Sequence, residues 1–299
     1  MTVGLVQLTV SDDPAENLPR TIALIRKAAA DGADWVLTPE ATNILSSDRA
    51  HQRRVLHPEA DDPTLTALRA EARSLGIWLL IGSLALIGEG PDAQDGRFVN
   101  RSLLIAPDGR IAARYDKLHM FDVAISATEQ FRESAAYRPG DRAVLAHIAA
   151  RGAGGETTAV GIGMAICYDL RFPHLFRQLA QAGAQILTVP SAFNSTTGAA
   201  HWEVLLRARA IETGCFVLAP AQCGAHPAPH SPDRPTRRSH GHSLIVAPWG
   251  EVLADAGSDP GVTVISLDLQ AVDRARSRIP SLRHDRPFIG PERNDHPDT

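Results

Sequence analysis

Apolar positions alternate with polar ones in two periods along this chain, and the changes of period mark out its elements. Residues 3–9 read as a strand, and Ser11-Asp12-Asp13-Pro14 then supplies a cap and a proline suited to a first helical turn. Leu18, Ile22, Ile25 and Ala29 recur at helical spacing up to Gly32. Asp34 to Thr38 reads as a buried strand ending at Pro39-Glu40. The same grammar repeats from Asp62-Pro63, with Leu65, Leu68 and Ala72 on a helix closed by Gly76. Ile77 to Leu86 follows, almost continuously apolar as a strand covered on both faces should be.

Residues 88–97, rich in Gly, Asp and Pro, read as a surface loop. Ser102 to Ala106, the Pro107-Asp108-Gly109 turn and Ile111 to Tyr115 make a hairpin. Thr158 to Ile166 is a further strand, followed by a helix near Pro173 to Ala182 that stops at Gly183. Then come a strand at Gln185 to Val189, a helix at Trp202 to Thr213 with Val204, Leu205, Ala208 and Ile211 on one side, and a strand at Cys215 to Ala219. Residues 224–238 form a Pro-rich loop. The end is β-rich, with strands at Ser243 to Ala247, Val252 to Ala254 and Val262 to Leu267 around a Pro248-Trp249-Gly250 turn, then a short helix over 270–278. No linker interrupts the series, so one α/β layered domain is expected over 1–280, with 281–299 as an arm or tail.

Composition narrows the function classes. The 299 residues hold 30 Lys and Arg against 34 Asp and Glu, a net charge of −4, so the basic footprint of a nucleic-acid binder is missing. No run approaches the roughly 18 apolar residues of a membrane span, and the N-terminus lacks the basic region of a signal peptide. A cytoplasmic location without membrane attachment is expected. Three cysteines, Cys167, Cys215 and Cys223, are too few for a disulfide framework and leave at least one free thiol.

Three reactive groups share one position in this grammar. Glu40, Lys117 and Cys167 each lie just beyond the end of an apolar strand, where α/β sheets present side chains to a crevice. A carboxylate can take the proton of a thiol while an ammonium stabilises negative charge, which are the parts needed for acyl transfer. Taken singly, each has an ordinary structural explanation. Cys215 opens an apolar strand and reads as core, and Cys223 has no charged neighbour in sequence.

Thr38-Pro39-Glu40, then Tyr115-Asp116-Lys117-Leu118-His119-Met120-Phe121-Asp122, then Gly163-Met164-Ala165-Ile166-Cys167-Tyr168-Asp169-Leu170-Arg171-Phe172-Pro173 resemble, in order, the three signature segments of the nitrilase superfamily of carbon-nitrogen hydrolases. Phe131 to Ser134, Pro190 to Asn194, His201-Trp202-Glu203 and Gly241-His242-Ser243 extend the resemblance over nearly the whole chain. It implies a four-layer αββα sandwich, pairing into a homodimer or higher homo-oligomer, and a Glu40, Lys117, Cys167 triad with Glu133 beside it. Within the superfamily the likeness is closest to deaminated glutathione amidases and omega-amidases. Thr38 stands where the family often has Leu, and His240 where close relatives often carry an aromatic.

The expected activity is hydrolysis of a small carboxylate-bearing linear amide to acid and ammonia through a Cys167 acyl-enzyme. Glu40 acts as the base, and Lys117 and the backbone N–H of Tyr168 meet the oxyanion. Glu133 positions Lys117. Arg171 is the expected carboxylate clamp, against a structural role holding the turn after the cysteine, and Phe193, Asn194 and Thr197 are expected to shape the acyl pocket. No cofactor is expected. His240-x-His242 with His226 and His230 raises a metal site, which the lack of a familiar donor spacing disfavours, so no metal is expected. Omega-amidase, N-carbamoyl hydrolase and nitrilase activities are the alternatives, and a noncatalytic scaffold of the same fold is the reading from another class.

Overall fold

The computed structural model describes residues 1–89, 95–126, 129–151 and 157–290. The expected loop over 88–97 and the expected tail therefore lie partly outside the described residues. Two sheets form the centre. The first has the strands Gly261–Ser266, Thr2–Gln7, Trp35–Leu37, Trp78–Ile87, Phe98–Ile105 and Ile111–Asp116 in that spatial order, with Tyr137–Arg138 paired to the strand at 98–105. The second runs Val252–Asp255, Leu244–Val246, Phe216–Ala219, Ile186–Thr188, Thr157–Met164 and Val144–Arg151. Each has parallel strands at its centre and antiparallel ones towards its edges.

The period-2 pattern decides which face each residue covers. Val3, Leu5, Trp35, Leu37, Leu80 and Leu104 point to the second sheet and share a core with Ile148, Ile162, Met164, Ile186 and Phe216. Their neighbours Val6, Val36, Leu79, Ile81 and Leu103 point outward and pack with Ile25, Ala28, Leu65, Leu68 and Ala72. These last five belong to α1 (Pro14–Ala30) and a helix at Pro63–Leu75. The short α2 lies between them at Arg49–Val55, which makes the helix at 63–75 α3. On the far side, α4 (Pro173–Gln181) and α5 (Ser195–Thr213) cover the second sheet with Phe176, Leu179, Trp202 and Leu206, and α6 (Gln270–Arg278) closes the described chain before a short turn at Ser281–Arg283. The layering is αββα. No helix among the described residues is long and apolar enough to cross a membrane.

Both caps read from the sequence form. The Asp13 carboxylate accepts from the Ala15 N–H at 2.8 Å, and Asp62 from the Leu65 N–H at 2.7 Å. Two expectations fail. α5 starts seven residues before Trp202, because Asn194 caps it by accepting from the Thr196 and Thr197 N–H groups at 2.9 and 3.1 Å. Its buried stripe is Trp202, Leu206, Arg209, Ala210 and Thr213, whereas Val204 and Ile211 stand 68% and 56% exposed. Arg209 explains the rotation: its guanidinium donates twice to the Leu170 carbonyl, at 3.0 and 2.8 Å, so a charged residue occupies the inner face.

At one place the sheets meet on a glycine. A methyl group on Gly82 would lie 1.8 Å from the Thr38 carbonyl oxygen and 2.5 Å from Pro190 Cβ. Only glycine fits where these segments cross.

Candidate active site

Three strand ends converge above Gly82. The strand at 35–37 stops at Pro39 and delivers Glu40; the strand at 111–116 delivers Lys117, whose N–H donates to the Asn100 carbonyl at 3.0 Å. From the second sheet, the strand at 157–164 ends before Cys167, whose N–H donates to the Pro190 carbonyl at 3.0 Å. Cys167 has φ 48° and Ala41, directly after Glu40, has φ 59°. Left-handed backbone at non-glycine residues is costly, and here it falls on the thiol itself and on the residue next to the carboxylate.

Lys117 Nζ donates to Glu40 Oε1 at 2.9 Å and to Glu133 at 3.0 and 2.9 Å. The second oxygen of Glu40 accepts from the Ala192 N–H at 2.8 Å, and Glu133 Oε2 accepts from the Phe121 N–H at 2.6 Å. Asn100 Nδ2 donates to Glu40 Oε1 at 2.9 Å and reaches Glu133 Oε1 at 3.5 Å. Lys117 is 2% exposed, Glu40 6% and Cys167 8%.

Burial works against each of these charges, and the neighbours decide the outcome. For Glu40, burial raises the pKa, but the charge and hydrogen bond of Lys117 outweigh it and hold the carboxyl below its ordinary value. For Lys117, burial pulls the ammonium down, and Glu133 and Glu40 together push it well above. Cys167 is pushed well above the usual thiol value, first by burial and then by the Glu40 charge, with Lys117 opposing. The resting site therefore holds a neutral thiol beside an ionised carboxylate, and the carboxylate is the available proton acceptor.

The expected site residues do not all meet. Glu40, Lys117, Glu133, Cys167, Tyr168, Phe193, Asn194 and Thr197 line one cavity of about 310 Å³. Arg171 does not line it: its guanidinium lies 6.0 Å from the Tyr168 ring centre and 5.5 Å from that of Phe193, and contacts His201 Nδ1 at 3.2 Å. Asn194 spends its carbonyl on the α5 cap and donates to Glu129 Oε1 at 2.5 Å. Thr197 Oγ1 is buried and has no hydrogen-bond partner among the described residues.

Other contributors went unread in the sequence. Asp169, two residues after the nucleophile, is fully buried and accepts from the Tyr115 hydroxyl at 2.6 Å, the His119 N–H at 3.0 Å and the Ile166 N–H at 2.9 Å, with His119 Nδ1 at 2.7 Å. Tyr115 and His119 flank Lys117, so one carboxylate ties the lysine segment to the cysteine segment. Burial and the charge of Asp169 hold the Tyr115 phenol far above its ordinary value, which keeps it a donor. Asn100 left only a weak signal, since the period-2 alternation sets it with Phe98, Ser102 and Leu104 in a strand that also carries Arg101. Cys215 and Cys223 are buried away from the cavity.

A four-layer sandwich bringing a thiol, a carboxylate and an ammonium to one cavity is the architecture of a hydrolase acting on carbon-nitrogen bonds other than peptide bonds. The carbon-nitrogen hydrolase family matches residues 2–277, and the chain belongs to it. The chain is similar to the deaminated glutathione amidase of Bos taurus, 40% identical over 96% of this chain and 82% of the relative, and to that of Yersinia enterocolitica, 37% identical over 95% and 92%. Among solved structures it is similar to Nit3 of Saccharomyces cerevisiae, a nitrilase-superfamily member, with a TM-score of 0.76 and 26% identity over 94% of both chains.

Proposed function

We propose that this amidase cleaves small carboxylate-bearing amides of the deaminated-glutathione type through an acyl-thioester on Cys167. The observation that carries the reading is the Glu40 to Lys117 contact of 2.9 Å beside a thiol that opens onto the cavity. As Cys167 Sγ attacks the amide carbonyl carbon, Glu40 takes the thiol proton. An ammonium has three N–H groups, and with two carboxylates bonded to Lys117 one remains for the developing oxyanion, joined by the backbone N–H of Tyr168. Glu40 returns the proton to the nitrogen as the carbon-nitrogen bond breaks, and the amine leaves. Water then attacks the thioester, Glu40 takes its proton, and the acid departs as the thiol is restored. Glu133 holds Lys117 on line throughout.

The departing group depends on the substrate. Deaminated glutathione is a 2-oxo acid joined by a secondary amide to cysteinylglycine, so its cleavage frees an amine; 2-oxoglutaramate, with a primary amide, frees ammonia. The free thiol fits a reducing cytoplasm. A homodimer is supported by the exposed Val204, Ile211 and Trp249, the last next to a Gly250 that abuts Ile211.

Purified protein assayed with deaminated glutathione, 2-oxoglutaramate, an N-carbamoyl amino acid and a simple nitrile tests the reading. Turnover of amides with a trapped acyl mass on the Cys167 peptide is expected. Absence of amide turnover, or an adduct on Cys215 or Cys223, overturns it.

A further inference from the structure

The cavity has a charge character opposite to that of the chain. Its charged lining consists of Glu40 and Glu133 against Lys117, Arg49, Arg132 and Arg237, an excess of two positive charges in a protein whose net charge is −4. Both acids are bonded to Lys117, and the three guanidiniums are left over. None of the three has a carboxylate within ion-pair distance among the described residues, whereas Arg101 and Arg114 on the same sheet share Glu59 at 2.7 Å each. Asp122 is near enough to feel the Arg132 charge, yet it gives one oxygen to the Ser134 N–H and the other to the Ser134 hydroxyl.

The arginines come from three separate elements with anchored backbones. Arg49 opens α2, where Asp48 accepts from the Ala50 and His51 N–H groups at 2.8 and 3.1 Å. Arg132 pairs across a hairpin with Asp122. Arg237 lies late in the Pro-rich loop, just before a short strand at Arg238–His240, and its carbonyl accepts from the His226 N–H at 2.9 Å. Arg49 and Arg132 are exposed and Arg237 is half-buried, while Glu40, Lys117 and Cys167 are buried. The cavity thus has a dry reactive end and a wet cationic mouth.

We propose that Arg49, Arg132 and Arg237 form a carboxylate-reading mouth that selects amides carrying two carboxylates over those carrying one or none. The inference rests on the amidase reading above and adds the residues that set its specificity. Guanidinium meets carboxylate through two parallel N–H donors, which suits the ends of a flexible dianion. Exposure weakens each pair singly, so the effect is spread over three residues and depends on salt.

The test compares kcat/KM for deaminated glutathione with two carboxylates, 2-oxoglutaramate with one, and pentanamide with none, in wild type, in Arg49→Gln, Arg132→Gln and Arg237→Gln, and in the triple variant. The preference for the dianion over the neutral amide is expected to fall about threefold to tenfold per substitution, and about a hundredfold or more in the triple variant. The fall should lie in KM, and Lys at each position should restore part of it. Raising salt from about 20 to about 200 mM should erode the wild-type preference in the same direction. An unchanged preference in the folded triple variant overturns the mouth; if that variant does not fold, a salt-independent wild-type preference does so. A wild-type enzyme that cleaves the neutral amide best also overturns it while leaving the amidase intact. One that cleaves none of the three fails the amidase reading itself.

Discussion

Two thiols in this protein share burial and differ in everything else. Cys167 and Cys215 both follow or open strands of the second sheet, both lie below a tenth exposure, and burial raises the proton affinity of both. Cys215 is fully enclosed, donates to the Ala184 carbonyl at 3.2 Å and receives a 3.0 Å contact from Arg276. Among the described residues it has a cation beside it but no carboxylate, and it lines neither the reactive cavity nor the pocket next to α6. Cys167 has a carboxylate, an ammonium, a left-handed backbone and open space in front of it. The difference teaches that a nucleophile here is not marked by an acidic thiol. A neighbouring base makes it, removing the proton only when an electrophile arrives.

Exchanging the roles gives the largest expected effect. Cys167→Ala should lower kcat by at least about a thousandfold, and Cys215→Ala should leave it within about twofold, as steady-state kinetics would show. Comparable losses in both would erase the distinction drawn above. The next effect comes from the brace behind Cys167. Asp169→Asn keeps the size but removes the charge that draws in Tyr115 and His119, and a misplacement of about 1 Å at the reacting atoms costs on the order of a hundredfold. A loss of about tenfold to a hundredfold in kcat, with KM little changed, is expected; a loss confined to thermal stability would make Asp169 a packing residue only.

These residues also show what could be read without coordinates. The strand ends bearing Glu40 and Cys167 were legible because both strands have parallel partners and run apolar into the core before they stop, and the one bearing Lys117 because a Pro-Asp-Gly turn marks its antiparallel hairpin. Glu133 was legible only through the family motif, since its neighbours form a short hairpin with no periodicity to detect. The α5 stripe was misassigned because Arg209 is buried through hydrogen bonds to a carbonyl, which hydropathy cannot register. The edge strand Val144–Arg151 went unread although Ala146, Ile148 and Ala150 alternate inward, because small alanines carry little strand signal, and α2 because its two turns are rich in Arg and His. Arg49, Arg132 and Arg237 lie far apart in sequence, and only the fold brings them to one opening.

A smaller effect separates buried neutral groups from the charged site. His226 is enclosed, with Nδ1 donating to the Val10 carbonyl at 2.8 Å and Nε2 accepting from the Ser239 hydroxyl at 2.8 Å. Burial holds its pKa down at about 4. The unfolded chain binds a proton at this residue below about pH 6.5 and the folded one does not until about 4, so the folded state loses stability as pH falls through that window, up to about 3 kcal/mol. Melting temperature against pH should slope downward between 6.5 and 4, and His226→Gln should flatten the slope; an unaltered slope would assign the acid sensitivity elsewhere. The smallest effect is on the inert thiol. Cys215→Ala should cost about 1 kcal/mol by denaturant unfolding, a packing loss with no kinetic counterpart.

Gly82 carries no reactive group, lines no wall and would not draw the eye of anyone redesigning the pocket. Yet the carbonyl it touches lies two residues before Glu40, and the proline it touches holds the Cys167 amide. The clearance between base and nucleophile is set by a hydrogen atom where every other residue has carbon. Attempts to widen the chamber for bulkier substrates can work from the mouth inward, but at this position the sequence has no neighbouring step to take. A single methyl there would leave two well-formed sheets that no longer meet closely enough to form an enzyme.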